Sequence, residues 1–225
     1  MANLLYLDVE STGLNSQKHD IIQLACIPII DDCKFSSFNE FCQPLNYEVV
    51  EQEAVNVHGI TVEKMRTFQS QAKLLENFIK YLRAFGVKFT ISGYNSSFDH
   101  RFIGAMFQKH GRNSDYRELF SNNIHDVMIR AKALKSAKKI TSAKLTAVAE
   151  YLGVNLTNAH DALADIEATI EVDKKLAELM GENKLDKDSQ LTLPSFNVPE
   201  VPALHLHSEF SVYDSATTAN SWLHW

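Results

Sequence analysis

Leu4-Leu5-Tyr6-Leu7 runs straight into Asp8-Val9-Glu10-Ser11-Thr12-Gly13-Leu14, and no other feature restricts the fold of this chain as much. Such an apolar run predicts a buried strand, and Asp8 and Glu10, two apart on it, leave by the same face. The pattern recurs downstream. Val87 to Tyr94 reads as a strand and leads into Asn95-Ser96-Ser97-Phe98-Asp99. His160-Asp161-Ala162-Leu163-Ala164-Asp165 then opens a long helical pattern, with His160 and Asp165 on broadly neighbouring faces. All three stretches therefore lie at the edges of regular elements, where a rigid scaffold aims side chains. Taken singly, Asp99 and Asp165 are ordinary capping or turn acids. Taken together, four carboxylates brought close repel one another unless cations neutralise them. Mg²⁺ or Mn²⁺ suits such an all-oxygen set, and two ions with one histidine as proton acceptor is the expected arrangement.

The remaining elements surround these stretches. Ile21 to Ile30 is a second strand. Phe35 to Cys42 is a third, alternating at Phe35, Phe38 and Phe41, and Asp31-Asp32 marks the hairpin turn between them. Leu74, Leu75, Phe78, Ile79 and Leu82 form a helix stripe. The strand that follows a helix implies a crossover to parallel pairing. Helices are expected from Phe98 to Gly111, from Val127 to Leu134, from Leu145 to a stop at Gly153, and from Asp161 to Leu179. These elements in this order give an α/β fold: a mixed sheet of three antiparallel strands plus parallel strands, flanked by helices. It resembles the ribonuclease H-like fold.

Asp-x-Glu followed by Thr-Gly-Leu, then Asn-x-x-Phe-Asp, then His-x-x-x-x-Asp resemble, in this order, the three motifs of the DEDDh family of 3′→5′ exonucleases. That family includes the proofreading epsilon subunit of bacterial DNA polymerase III, to which the chain is most similar. Val57-His58-Gly59-Ile60-Thr61 resembles a signature of the same branch. The resemblance covers roughly residues 4 to 179 and implies a ribonuclease H-like fold. Asp8, Glu10, Asp99 and Asp165 would be ligands of two Mg²⁺ or Mn²⁺ ions, and His160 the general base. Thr12, Gly13, Leu14, His58, Asn95 and Phe98 would hold the terminal nucleotide, with Leu14 wedged beside its base. The implied activity is release of nucleoside 5′-monophosphates from single-stranded or frayed DNA 3′ ends, as in polymerase proofreading. RNA trimming is the alternative within the family, and a non-catalytic replisome tether the alternative outside it. A tether is expected to have lost a motif residue, and here all five are present.

A net charge of −6 over 225 residues argues against grip on long duplex by charge alone. Against that background Arg130, Lys132, Lys135, Lys138, Lys139 and Lys144 fall in a stretch, Val127 to Ala149, without an acid. It is either a solvated helix face or a surface that steers nucleic acid. Cys26, Cys33 and Cys42 lack metal-ligand spacing and read as reduced thiols. With no leader and no apolar run of about 20 residues, a cytoplasmic protein without a membrane span is expected.

Three regions are expected: an exonuclease domain over 1–180, a Pro-containing linker over 181–202, and a tail over 203–225. Gln190-Leu191-Thr192-Leu193 with Phe196 loosely resembles the peptide that docks replication proteins to the sliding clamp. Ala203 to Asp214, with His205 and His207, resembles the opening of the PHP domain of polymerase alpha subunits. The resemblance implies a stub of such a domain and a polymerase alpha-like partner.

Overall fold

The structure is a computed structural model that describes residues 3–156 and 162–181. His160, the linker beyond Gly181, the clamp-like peptide and the PHP-like tail with His205 and His207 lie outside the described residues.

β1 (Leu4–Ser11) and β2 (Ile21–Ile30) pair antiparallel, with Leu7 opposite Cys26 and Asp8 opposite Ala25. Asp31 and Asp32 take positive φ values of 50° and 63°, as a tight two-residue hairpin requires. The expected third strand is not continuous. It appears as β3 (Cys33–Lys34) and β4 (Phe38–Phe41), each paired with β2. Pro28 of β2 accounts for the gap. Its carbonyl accepts from the Phe35 N–H, so the side on which it has no N–H to give faces the same neighbour.

A 3₁₀ turn (Tyr47–Val49) and two short helices, α1 (Gln52–His58) and α2 (Val62–Met65), lead to α3 (Gln71–Arg83). The Ser70 hydroxyl caps α3 at the Lys73 N–H, and all five stripe residues are buried. β5 (Phe89–Gly93) then pairs parallel with β1. α4 (Ser96–Lys109) and α5 (Asn113–Leu119) cross over to β6 (Phe120–Asp126), parallel to β5. α6 (Val127–Ser136), α7 (Leu145–Leu152) and α8 (Ala162–Leu179) follow.

The six-stranded sheet runs β3-β2-β1-β5-β6, with β4 also on β2. It is the mixed α/β architecture expected, with more elements than the sequence reading supplied. α1, α2 and α5 are too short for a periodic stripe. β6 is an edge strand whose middle is Ser121, Asn122 and Asn123, so it shows no apolar alternation.

Alternation along the strands feeds two cores. Tyr6, Ala25 and Ile27 pack against the apolar sides of α6, α7 and α8. On the α3 and α4 side the core is aromatic: Phe78 meets Phe38 at 5.4 Å, Phe120 at 6.3 Å and Phe107 at 6.5 Å between ring centroids. Phe78 has no exposed surface. Phe78→Ala is therefore expected to cost roughly 3–5 kcal/mol, read as a lower urea midpoint at unchanged slope.

Candidate active site

β1 outruns its parallel neighbour. Its pairing with β5 ends at Tyr6 opposite Ser92, so the backbone from Leu7 onward needs other partners on that side. Asp99, in the first turn of α4, supplies one: its Oδ1 accepts the Val9 N–H at 3.1 Å. That bond sets Asp99 between Asp8 and Glu10 on the strand. The close approach depends on Gly93, where a Cβ would fall 2.9 Å from the Leu7 carbonyl oxygen. Asn95 then turns the chain into α4 in the left-handed region (φ 66°), its N–H donating to Asp126 Oδ1 at 2.9 Å. Asp99 ends 3% exposed. Burial pushes its carboxyl well above the usual range, Glu10 and Asp126 push it further, and the Val9 N–H opposes them.

Asp165 enters from the first turn of α8 and shares with Asp8 a cavity of about 170 Å³, also lined by Tyr6, Gly93, Tyr94, Leu145 and Thr169. Below it the same two elements are tied by Tyr6, whose hydroxyl donates to Asp173 Oδ2 at 2.5 Å. His125 of β6 meets the same oxygen at 2.8 Å, and Arg130 of α6 pairs with Oδ1. Burial alone would raise the Asp173 carboxyl. The bonds from His125 and Tyr6 and the charge of Arg130 outweigh it and hold the group below its usual value.

Beyond Glu10 opens a groove of about 600 Å³, lined by Val9, Gly13, Leu14, Ala54, Val57, His58 and Phe98, with Glu51 and Glu53 at its polar side. Leu14 is 79% exposed over it. His58 accepts the Ile60 N–H on Nδ1 at 3.0 Å, and burial lowers its pKa. Its neutral ring therefore carries the proton on Nε2, an atom with no partner among the described residues. Gly13 is required by crowding: a Cβ there would lie 2.4 Å from the His19 ring. His19 accepts the Asn15 N–H and lies 3.2 Å from Glu51, bracing the loop.

The structure thus sets Asp8, Glu10 and Asp99 along the end of β1 with Asp165 across a shared cavity from Asp8, and Gly13, Leu14, His58 and Phe98 in one groove beside them. Thr12 does not join them. It has no exposed surface, its N–H donates to the Asp20 carbonyl, and its hydroxyl accepts the Asp20 N–H. Asn95 lies outside the groove lining, at the start of α4. Sequence reasoning missed Glu51, Glu53 and Ala54, and gave Val57 no role beyond its place in a signature. The signal was Ala54, Val57 and His58 at i, i+3 and i+4, one face of a helix too short to show a longer period.

Among the described residues no three His, Cys, Asp or Glu side chains gather tightly enough to close a cage around a metal ion. The donor set still fits a hard divalent cation. It is all carboxylate, one member is driven toward its neutral form by burial and neighbouring acids, and Mg²⁺ completes its shell with water and phosphate rather than protein.

Residues 5–172 match the RNase_T family, described as Exonuclease. Curated relatives include the PolC-type DNA polymerase III of Thermotoga petrophila, 26% identical over 190 residues, and that of Oceanobacillus iheyensis, 28% over 184. These alignments cover 84% and 82% of this chain but 13% and 12% of the relatives, so the chain spans about an eighth of their length. Among solved structures, E. coli Exonuclease I in complex with a dT13 oligonucleotide superposes with a TM-score of 0.68 at 22% identity. The match covers 83% of this chain and 43% of that one. The zinc-bound Exonuclease I–ssDNA complex matches at 0.67, also at 22% identity, covering 81% and 41%. The likeness establishes the ribonuclease H-like fold.

A carboxyl whose folded-state pKa is raised favours folding most below its unfolded value, about 3.9, and opposes folding increasingly as pH rises toward the folded value. Asp99→Asn keeps an oxygen for the Val9 N–H and removes the charge. In chelator at pH 8 it is expected to raise the thermal midpoint, each ~1 kcal/mol giving roughly 2–4 °C. The gain should shrink toward pH 4. An unchanged or lower midpoint at pH 8 counts against the buried, self-repelling cluster.

Proposed function

The chain belongs to the RNase_T family of 3′→5′ exonucleases, and from that premise we propose that it removes nucleoside 5′-monophosphates from single-stranded or frayed DNA 3′ ends. One observation carries this reading: Asp99 bonds to the β1 backbone between Asp8 and Glu10, beside a nucleotide-sized groove, while Asp165 faces the cavity of Asp8. A volume of about 600 Å³ with apolar walls and a few polar groups suits one nucleotide.

Asp8, Glu10, Asp99 and Asp165 would hold two Mg²⁺ or Mn²⁺ ions, which supply charge neutralisation at the scissile phosphate and a more acidic attacking water. The chain's own groups do the rest. The apolar walls at Val9, Leu14, Val57 and Phe98 receive the terminal base, and Leu14, exposed at the lip, separates it from its neighbour. His58, neutral, stands beside them in the groove wall. Glu10, at the junction of groove and carboxylate edge, fixes where the phosphodiester stops. His160, five residues before Asp165, accepts the proton of the attacking water. These roles are those of the DEDDh branch, the subtype proposed for this chain. The PolC-type names of the relatives support a replication setting, and proofreading is the role proposed there, with a polymerase subunit as partner. Residues 1–180 are proposed as the catalytic region, a reading supported by the family match over residues 5–172.

A 3′-unpaired, 5′-labelled DNA oligonucleotide with Mg²⁺ should shorten from its 3′ end, and chelator should stop it. Asp165→Ala should abolish turnover in a folded protein; wild-type rates there would exclude carboxylate catalysis. Cleavage of matched ends should lag behind mismatched ones because unpairing costs a few kcal/mol. Faster cleavage of RNA would move the substrate to RNA.

His160→Ala should lose roughly 10²–10⁴-fold and flatten the acidic limb of the pH–rate profile, because a protonated imidazole accepts no proton. An unchanged limb would assign the base elsewhere. Deleting residues 182–225 should leave short-oligonucleotide cleavage within about twofold; loss of cleavage would make the tail part of the catalytic region.

A further inference from the structure

The reaction leaves unused the acid-free stretch from Val127 to Ala149. α6 buries Val127, Ala131 and Leu134 (i, i+4, i+7) in the core shared with α7 and α8, which turns Lys132 and Lys135 to solvent. Lys138 and Lys139 follow in the connection to α7, and Lys144 immediately precedes α7; all are exposed. Arg130 is committed to Asp173, whereas these lysines form no ion pair among the described residues. The connection returns to the carboxylates. The Tyr94 hydroxyl donates to the Ala143 carbonyl at 2.5 Å, and Leu145 lines the cavity of Asp8 and Asp165. Lys144 therefore stands between two residues anchored at the catalytic edge. The groove for the terminal nucleotide begins further along β1, at Val9 and Glu10. A strand whose last nucleotide fills that groove passes the carboxylates and leaves on the Leu145 side, where the lysines begin.

We propose that Lys135, Lys138, Lys139 and Lys144 form a track for the phosphates of the single-stranded DNA upstream of the scissile bond. This rests on the exonuclease reading and adds the path of the substrate. With a net charge of −6 the protein as a whole does not attract a phosphate backbone. A local run of unpaired cations next to the site confines the strand to one exit. Lysine contacts to phosphate carry no sequence information, as a processing nuclease requires.

The test uses the full chain with Lys135, Lys139 and Lys144 changed together to Ala. A control carries Lys64→Ala, Lys73→Ala and Lys80→Ala, three exposed lysines elsewhere. Fluorescein-labelled dT20 is titrated in chelator, followed by anisotropy over a range of NaCl. Each single-strand phosphate contact contributes about 0.7 to the slope of log affinity against log salt. The track variant should lose about 2 from that slope and bind roughly tenfold more weakly, and the control should match wild type. With Mg²⁺, KM for dT20 should rise by the same factor, while turnover of dT2, too short to reach the track, stays within about twofold. An unchanged slope, an equal loss in the control, or an equal fall on dT2 overturns the proposal. Tighter binding of rU20 than dT20 overturns its assignment to DNA. If wild type degrades neither oligonucleotide, the exonuclease reading fails on its own, and the anisotropy still decides the track.

Discussion

A single hydroxyl, that of Tyr6, ties together the parts of the protein that carry the carboxylates. Tyr6 lies two residues before Asp8 on β1, and Asp173 lies eight residues, about two turns, after Asp165 on α8. Their hydrogen bond therefore sets the height of α8 against β1, and with it the separation of the two acids above. His125 and Arg130 bring β6 and α6 to the same carboxylate. A fully satisfied network of this kind rigidifies its surroundings, because each buried partner left alone would be costly. Four elements, of which only β6 and α6 are neighbours in sequence, are thus held together at the Asp173 carboxylate.

The carboxylate cluster needs that rigidity because its own charges oppose it. Asp99 is buried next to Glu10 and Asp126, and its Val9 bond is a local compensation for a group that burial disfavours as an anion. The strain of assembling like charges is carried by bonds below and beside them. The same holds on the groove side. Asp20, 3% exposed, pairs with Lys109 of α4 at 2.8 Å and accepts the Leu45 N–H at 2.9 Å, while Thr12 bonds twice to its backbone. The loop that presents Gly13 and Leu14 is therefore anchored to α4, the helix that also carries Phe98 and Asp99.

Charge is distributed to match. Acids line the end of β1 and the groove, while exposed lysines with no ion pair among the described residues occupy the outer side of α6 and its connection to α7. On the proposed reading, hard cations and phosphate meet at the first, and a phosphate backbone runs along the second.

The sequence alone determined the mixed α/β architecture, the strand and helix ends that carry the acids, and the grouping of Asp8 with Glu10. Each follows from a local pattern: an apolar run, a period of two, a period of 3.6. Leu14, His58 and Phe98 were singled out by the fixed order of their motifs, and the structure sets all three along one groove. Tertiary structure decided the rest. β6 was invisible because an edge strand needs no apolar alternation, and α1 because seven residues hold too little period. Thr12 read as a substrate contact from its neighbours, yet the fold turned it inward because Asp20, eight residues on, offered both a carbonyl and an N–H. The Tyr6–Asp173 bond spans 167 residues. No local pattern marks it, since a tyrosine in a strand and an aspartate in a helix acquire their meaning only when packing brings them within reach.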